Sequence, residues 1–522
     1  MDNRTYNIFF HTHTISGIII SAVLYVLFFT GSLSFFRDEI INWERNESVY
    51  QKVAPGHLDI ALDSIANTYD LYGRDISINW PSAERRMNVS LGASKDTLAT
   101  DAQKAGAFFY MDTETHQNFT YVDSYSLGEF LYRLHFLAQI PYPIGYYLSG
   151  FIAFFFLFAI ITGILVHWDK IVQNFYVFRP MAKLKTLWTD AHTGLGVIGL
   201  PFQFVYAVTG AFFMIKLVVV APAVMVLYEG DQVKLYDELE YNPPTYAMQH
   251  QRSESLASVD GLVAMTTAQW DDFKPTRVQL LNYGDQSMKV LVEGETAYNS
   301  QFTGTGKILY DGVTGNLISK KDPYVETTYL DVVKNLLYRL HFGDYGGYAL
   351  KLISLLLGLI SCFVIISGVM IWLVARDKKH LSETKRTFNR ILVRLYLAIC
   401  LGMYPLTALT FIMVKMLGRS GMDFLYPFYF WGWLLLTILL MLKKSNGFIT
   451  RFTLLWGSIL ALLVPVANGI QSGNWFWKTF AAGQLDIFIV DAIWIGLAIT
   501  GFFIYVHIVK KEKRLPVASA NL

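Results

Sequence analysis

Cysteine is almost missing from this chain. Cys362 and Cys400 are the only two in 522 residues, and both lie in apolar runs. That excludes a disulfide framework, a thiolate zinc site and the CxxCH attachment of a c-type haem. Charge is scarce too: 16% of residues are Asp, Glu, Lys or Arg, well short of the quarter usual in soluble domains. With 43 basic against 41 acidic residues there is no polyanion-binding signature, so nucleic acid is not an expected partner. A Gly-rich dinucleotide fingerprint between a strand and a helix is also lacking, which argues against a flavin or nicotinamide domain. Any metal centre has to rest on His, Asp, Glu or Met.

What the chain has in quantity is apolar sequence. Eight stretches reach the roughly 20 residues that a membrane-crossing helix needs, near 14–36, 144–168, 193–227, 348–374, 391–416, 424–442, 452–470 and 485–509. The first is too long for a signal-peptide core and no small-residue cleavage site follows it, so it reads as a retained helix. Arg179, Lys183 and Lys185 follow the second stretch; Arg376, Lys378, Lys379, Lys385, Arg386 and Arg390 follow the fourth. Lys443, Lys444 and Arg451 follow the sixth, and Lys510, Lys511, Lys513 and Arg514 the eighth. All four groups fall on one side of an eight-span layout, which the positive-inside rule makes cytoplasmic. Both termini are then expected inside and two polar segments outside.

Those outer segments carry alternating stretches, Ile76-Ser77-Ile78-Asn79-Trp80 and Arg277-Val278-Gln279-Leu280-Leu281, which suit half-buried strands. Each also carries a turn segment, Tyr110-Met111-Asp112-Thr113-Glu114-Thr115-His116 and Leu309-Tyr310-Asp311-Gly312-Val313-Thr314-Gly315-Asn316. The layout expected is a first span (1–36), an outer α+β domain (37–130) and two spans with an inner loop (131–227). A second outer α+β domain (228–335), a fourth span (336–376) and a four-span extension (377–522) complete a mainly α, polytopic membrane protein.

The chain repeats itself. Leu131-Tyr132-Arg133-Leu134-His135-Phe136 recurs letter for letter as Leu337-Tyr338-Arg339-Leu340-His341-Phe342. His13, Gly17 and Thr30-Gly31 match His192, Gly196 and Thr209-Gly210 at equal offsets, and Thr162-Gly163 matches Ser367-Gly368. The first four spans therefore read as two copies of helix, outer domain, helix, related by an axis along the membrane normal. This symmetry sorts four histidines into two pairs. His13 and His192 fall at the inner edge, His135 and His341 at the outer edge. Paired histidines are what two non-covalent b-type haems require as axial ligands of their iron.

Gly17 and Gly196 lie one turn from His13 and His192 on the same face, where they would clear space for a flat macrocycle. Gly31 and Gly210 lie on that face roughly 27 Å from the histidines, where an outer haem would need room; helix packing is the plain alternative for all four. Arg133 and Arg339 would pair with haem propionates or mark a basic outer rim. His167 would replace His13 or His192 as a ligand, or hydrogen-bond to one. His11 faces away from His13, and His57, His116, His250, His380 and His507 read as structural. No catalytic residue is assigned.

The His-x3-Gly…Thr-Gly helix, the Leu-Tyr-Arg-Leu-His-Phe segment and the Tyr-Asp-Gly-Val-Thr-Gly turn resemble the PepSY-associated transmembrane proteins over roughly residues 1–376. That family includes inner-membrane ferric-siderophore reductases of Gram-negative bacteria. The resemblance implies a four-helix core, two periplasmic PepSY domains and two b-type haems on His13, His135, His192 and His341. It implies reduction of ferric iron in a siderophore or other chelate, with electrons from quinol, a partner protein or a diffusible reductant. Two rivals are a non-enzymatic PepSY binding or regulatory protein and a ferric-chelate transporter using Lys216, Asp486 and Asp491. The last four spans have no counterpart in the family pattern.

Overall fold

The computed structural model describes residues 2–49, 57–80, 84–168, 171–176, 179, 184–239, 244–297, 302–378 and 381–514. Lys183, Lys379 and His380 lie outside the described residues, as do the side chains of Lys513 and Arg514. Helix α1 (Asn3–Ser34) is followed by α2 (Arg37–Arg45), α3 (Leu58–Ala66), β1 (Ile76–Asn79) and β2 (Arg86–Leu91). Next come α4 (Asp101–Lys104), β3 (Ala107–Asp112), β4 (Asn118–Thr120), α5 (Leu127–His135), α6 (Ile144–His167), α7 (Ile171–Tyr176) and α8 (Leu184–Leu227). Then follow α9 (Gln232–Glu238), α10 (Val259–Thr267), β5 (Phe273–Leu281), β6 (Lys289–Thr296), β7 (Thr305–Asp311) and β8 (Leu317–Lys321). The chain ends with α11 (Tyr329–Phe342), α12 (Gly347–Arg376), α13 (Glu383–Leu417), α14 (Met422–Leu442), α15 (Asn446–Ser472), α16 (Phe476–Ala481) and α17 (Leu485–Arg514).

Among the described residues, eight helices are long and apolar enough to cross a membrane, one for each stretch expected. Their ends differ from the apolar runs where polar turns extend them. Asp2 caps α1 by accepting from the Arg4 and Thr5 amides at 2.9 Å, so His13 stands inside the helix rather than at its start. The third span stops at Lys216 rather than 227. Ile215 is non-helical there (φ −120°, ψ 27°), and it abuts Gly150 of α6, whose missing Cβ would lie 2.5 Å from its Cγ2.

The strands form one antiparallel sheet in the order β4-β3-β2-β1-β5-β6-β7-β8. Four come from each polar segment, so the segments expected as two domains share a single sheet. The two alternating stretches noted in the sequence are each other's partners: Ile76 pairs with Leu280 and Ile78 with Val278. All four side chains are buried in one core with Leu62 and Ile65 of α3 and Leu262 of α10. The two helices also cap one another. Asp260 accepts from the Leu58 amide at 2.7 Å, and Asp59 accepts from the Val259 amide at 2.8 Å. Each carboxylate thus satisfies free N–H groups of the other helix and opposes its dipole. Residues 37–46 and 126–130, expected in the outer domain, belong instead with the helical unit. The side chains of α2 bond to neighbouring helices, which is why it departs from the sheet.

Both turns seen in the sequence form around an aspartate. Asp112 Oδ1 accepts from the Glu114 and Thr115 amides, and Asp311 Oδ1 from the Val313 and Thr314 amides. Burial raises the Asp311 pKa, but Lys289 Nζ at 2.8 Å and the Thr314 amide and hydroxyl outweigh it and bring it down to about 2. A carboxylate depressed in this way stabilises the fold fully above its unfolded pKa near 3.8, and that stabilisation disappears as pH falls through about 2. Asp311→Asn is expected to destabilise the sheet at pH 7 by about 1 kcal/mol after solvent screening. It should also flatten the acid limb of stability, read by hydrogen exchange of β6 and β7 between pH 2 and 5. An unchanged acid limb would refute the assignment.

In the helical unit, α1 packs on both α6 and α12. Gly358 lets the α12 backbone come against Ser32, the small-residue approach common in membrane helix pairs.

Candidate paired-histidine sites

Two histidine pairs form within the helical unit. The ring centres of His13 (α1) and His192 (α8) are 6.2 Å apart with planes at 70°. Those of His135 (α5) and His341 (α11) are 6.2 Å apart at 37°. Two imidazoles bound to one metal through bonds of about 2 Å place their ring centres about 6 Å apart. Both pairs match that spacing. Among the described residues no three His, Cys, Asp or Glu side chains converge as a metal-holding group. Two axial imidazoles suit a metal whose other ligands come with a macrocycle.

Three of the four rings are held in the same way. His13 Nδ1 is 2.9 Å from the Ala159 carbonyl, His192 Nδ1 is 2.9 Å from that of Val364, and His135 Nδ1 is 2.8 Å from that of Leu27. Each carbonyl belongs to the residue four before a glycine. The ring then lies on the bare glycine: a Cβ on Gly31 would meet His135 Nδ1 and Cε1 at 2.6 Å, one on Gly163 His13 Cε1 at 3.1 Å, and one on Gly368 His192 Cε1 at 3.2 Å. A helical side chain covers the turn before it, so glycine uncovers the carbonyl one turn back. Carbonyls cannot donate, so Nδ1 carries the proton and Nε2 keeps the lone pair that binds metal.

His341 departs from this pattern. Its Nδ1 is 2.8 Å from Thr209 Oγ1, whose hydroxyl donates to the Val205 carbonyl at 2.7 Å. The hydroxyl is committed as a donor, so Nδ1–H again supplies the proton. Tyr206 and Phe213 enclose the ring at 5.3 and 5.0 Å. Burial lowers the pKa of His135, and burial together with His135 lowers that of His341 to about 3. Both imidazoles are neutral at pH 7, the form that ligates metal. Thr209→Val removes the hydroxyl that accepts from His341 Nδ1 without changing the side chain's bulk. With haem bound, it is expected to raise the outer haem's midpoint potential, because an imidazole without that acceptor is a poorer donor to ferric iron, or to weaken its retention about 10-fold or more. The inner haem should stay as it was, and a redox titration showing both unchanged would refute the role.

The remaining expected residues divide. The glycine roles are rearranged: Gly31 seats the His135 ring itself, and Gly210 faces Ala153 at 3.3 Å. Gly17 has nothing within 4 Å of a Cβ and Gly196 only Val364 Cγ1 at 4.0 Å, so both leave open flanks one turn from His13 and His192. His167 ends α6 one turn past Gly163. Arg133 lies 3.9 Å from Glu129, and Arg339 pairs with Glu295 at 3.2 Å. The seats at Gly163 and Gly368 and the carbonyl anchors carried no assignment from the sequence. The signal was there in the repeat, which matches Thr30-Gly31 with Thr209-Gly210 and Thr162-Gly163 with Ser367-Gly368.

Eight candidate spans, one eight-stranded antiparallel sheet and two half-buried histidine pairs define a polytopic membrane protein with a helical unit and a sheet-forming unit. The chain belongs to the PepSY-associated TM region family, which it matches over residues 10–375. It is 23% identical over 287 residues to an uncharacterized protein of Pseudomonas aeruginosa, covering 54% of this chain and 71% of the relative. The matched family region stops before α13 begins.

Proposed function

We propose that the protein is a di-haem oxidoreductase of a bacterial inner membrane. It passes electrons from the cytoplasmic side to ferric iron, held in a siderophore or other chelate, on the periplasmic side. The observation that supports this reading is the ring spacing of 6.2 Å in both histidine pairs. Haem bound at each pair would supply one-electron redox chemistry near the two faces of the membrane. The chain's own residues keep Nε2 of His13, His192 and His135 deprotonated by tying Nδ1–H to a helix carbonyl, and Thr209 does the same for His341. Tyr206 and Phe213 pack against the His341 ring of the outer pair. Gly17 and Gly196 leave room beside the inner one, and Arg133 and Arg339, paired with Glu129 and Glu295, would have to exchange those partners to meet propionates. Quinol or a partner protein is the donor. The basic groups after the second, fourth, sixth and eighth spans orient the chain with both termini inside and the sheet outside.

Reduction releases iron because a lower-charged ion is held less tightly by hard oxygen ligands. The test is the visible spectrum of detergent-purified protein before and after dithionite, with a pyridine haemochrome assay. About two b-type haems per chain, with a sharp reduced α-band, are expected. A colourless preparation from haem-replete cells would overturn the reading and leave a binding or chelate-transport role.

A further inference from the structure

The four spans beyond residue 375 grip the helix that carries His135. Helix α5 has nine residues and ends at that histidine, and a helix so short takes its place from tertiary packing. On one side, Phe130 is fully buried with its ring centre 5.8, 5.0 and 6.0 Å from those of Tyr426, Tyr429 and Phe430 of α14. This socket is braced in turn. Tyr429 Oη is 3.0 Å from Thr407 Oγ1 of α13, and Trp433 Nε1 donates to the Ile399 carbonyl at 2.8 Å.

On its other side α5 lies against α2. A Cβ on Gly128 would meet the Arg37 carbonyl at 2.5 Å, and the Leu127 amide donates to Glu44 at 2.7 Å. Helix α2 is itself fastened by the extension. Asn42 donates to Asp486 at 3.1 Å and Trp43 Nε1 to Asp491 at 2.8 Å. Asp491 also accepts from Asn468 at 2.9 Å. Lys415 donates to the Trp43 carbonyl and to Asn46 and stands 4.5 Å over the indole. Trp43, Lys415 and Asp491 are almost wholly buried, which makes these ties costly to break. Asp486 and Asp491, noted in the sequence as polar positions of a transport path, are bonded across helices.

We propose that the C-terminal four spans are a clamp that presents His135 to His341, acting through the Phe130 socket and through α2. The clamp rests on the contacts above; only its redox readout rests on the di-haem reading. The test uses the full-length chain with Phe130→Ala, Phe130→Leu and Asp491→Asn. Amide hydrogen exchange of residues 127–135 is expected to rise on the order of tenfold or more in Phe130→Ala. Exchange in α6 should stay unchanged, and Phe130→Leu, which refills the socket, should recover most of the protection. In haem-loaded protein the outer haem should become heterogeneous by electron paramagnetic resonance while the inner one keeps its signal. Unchanged exchange in 127–135, or equal loosening of all helices in both Phe130→Ala and Asp491→Asn, would overturn the clamp. A colourless native protein would defeat the haem reading and leave the exchange result to decide the clamp.

Discussion

His341→Ala is expected to leave about one b-type haem per chain in place of about two, and to stop ferric reduction while the inner haem still accepts electrons. The outer pair has one ring from each repeat, so either substitution, His341→Ala or His135→Ala, removes half of the proposed ligand set. Neither ring has a substitute nearby: among the described residues no further metal-holding cluster exists. Haemochrome content and the α-band amplitude after dithionite read the first effect, and stopped-flow reduction of the remaining haem reads the second. Retention of both haems in His341→Ala and in His135→Ala would show that the outer pair is not a ligand pair.

Gly31→Val tests the same site without touching a ligand. The first added carbon would stand 2.6 Å from two atoms of the His135 ring, far inside contact distance. The ring has to leave its seat, and its bond to the Leu27 carbonyl goes with it. Overpacking of this kind costs about 1–3 kcal/mol, and the lost bond about 1 kcal/mol more. Loss of most of the outer haem is expected with the inner one intact. Gly17→Ala, whose Cβ meets nothing within 4 Å, supplies the contrast: the chain alone accommodates it, so any loss of inner haem there reports a clash with the macrocycle. If Gly31→Val keeps its outer haem at full content and unchanged potential, the seat has no role.

The spans were legible because membrane-length apolar runs are a direct physical requirement, and the histidine pairs because a repeat imposes symmetry. Ile76–Trp80 and Arg277–Leu281 were recognisable as strands, but not as partners. Alternation sets which face is buried, and nothing in either stretch says where its edge will pair. The seats at Gly163 and Gly368 stayed unassigned because a glycine's use depends on what lies against it. Phe130 was likewise silent: a Phe in an amphipathic segment looks the same whether it meets lipid or three aromatic rings of α14. The kink at Ile215 left no proline or glycine at its position to announce it.

The pairing of β1 with β5 sets a timetable. Ile76 meets Leu280, so about 200 residues separate the two central strands, and a ribosome takes roughly 10–40 s to make them. For that interval the first half of the sheet waits with β1 as an open edge, an adhesive state for any strand. The Asp260 caps for α3 are not yet made either. The first polar segment is therefore synthesised well before its sheet can be completed, and a cell making this protein quickly would accumulate half-built sheets before finished ones.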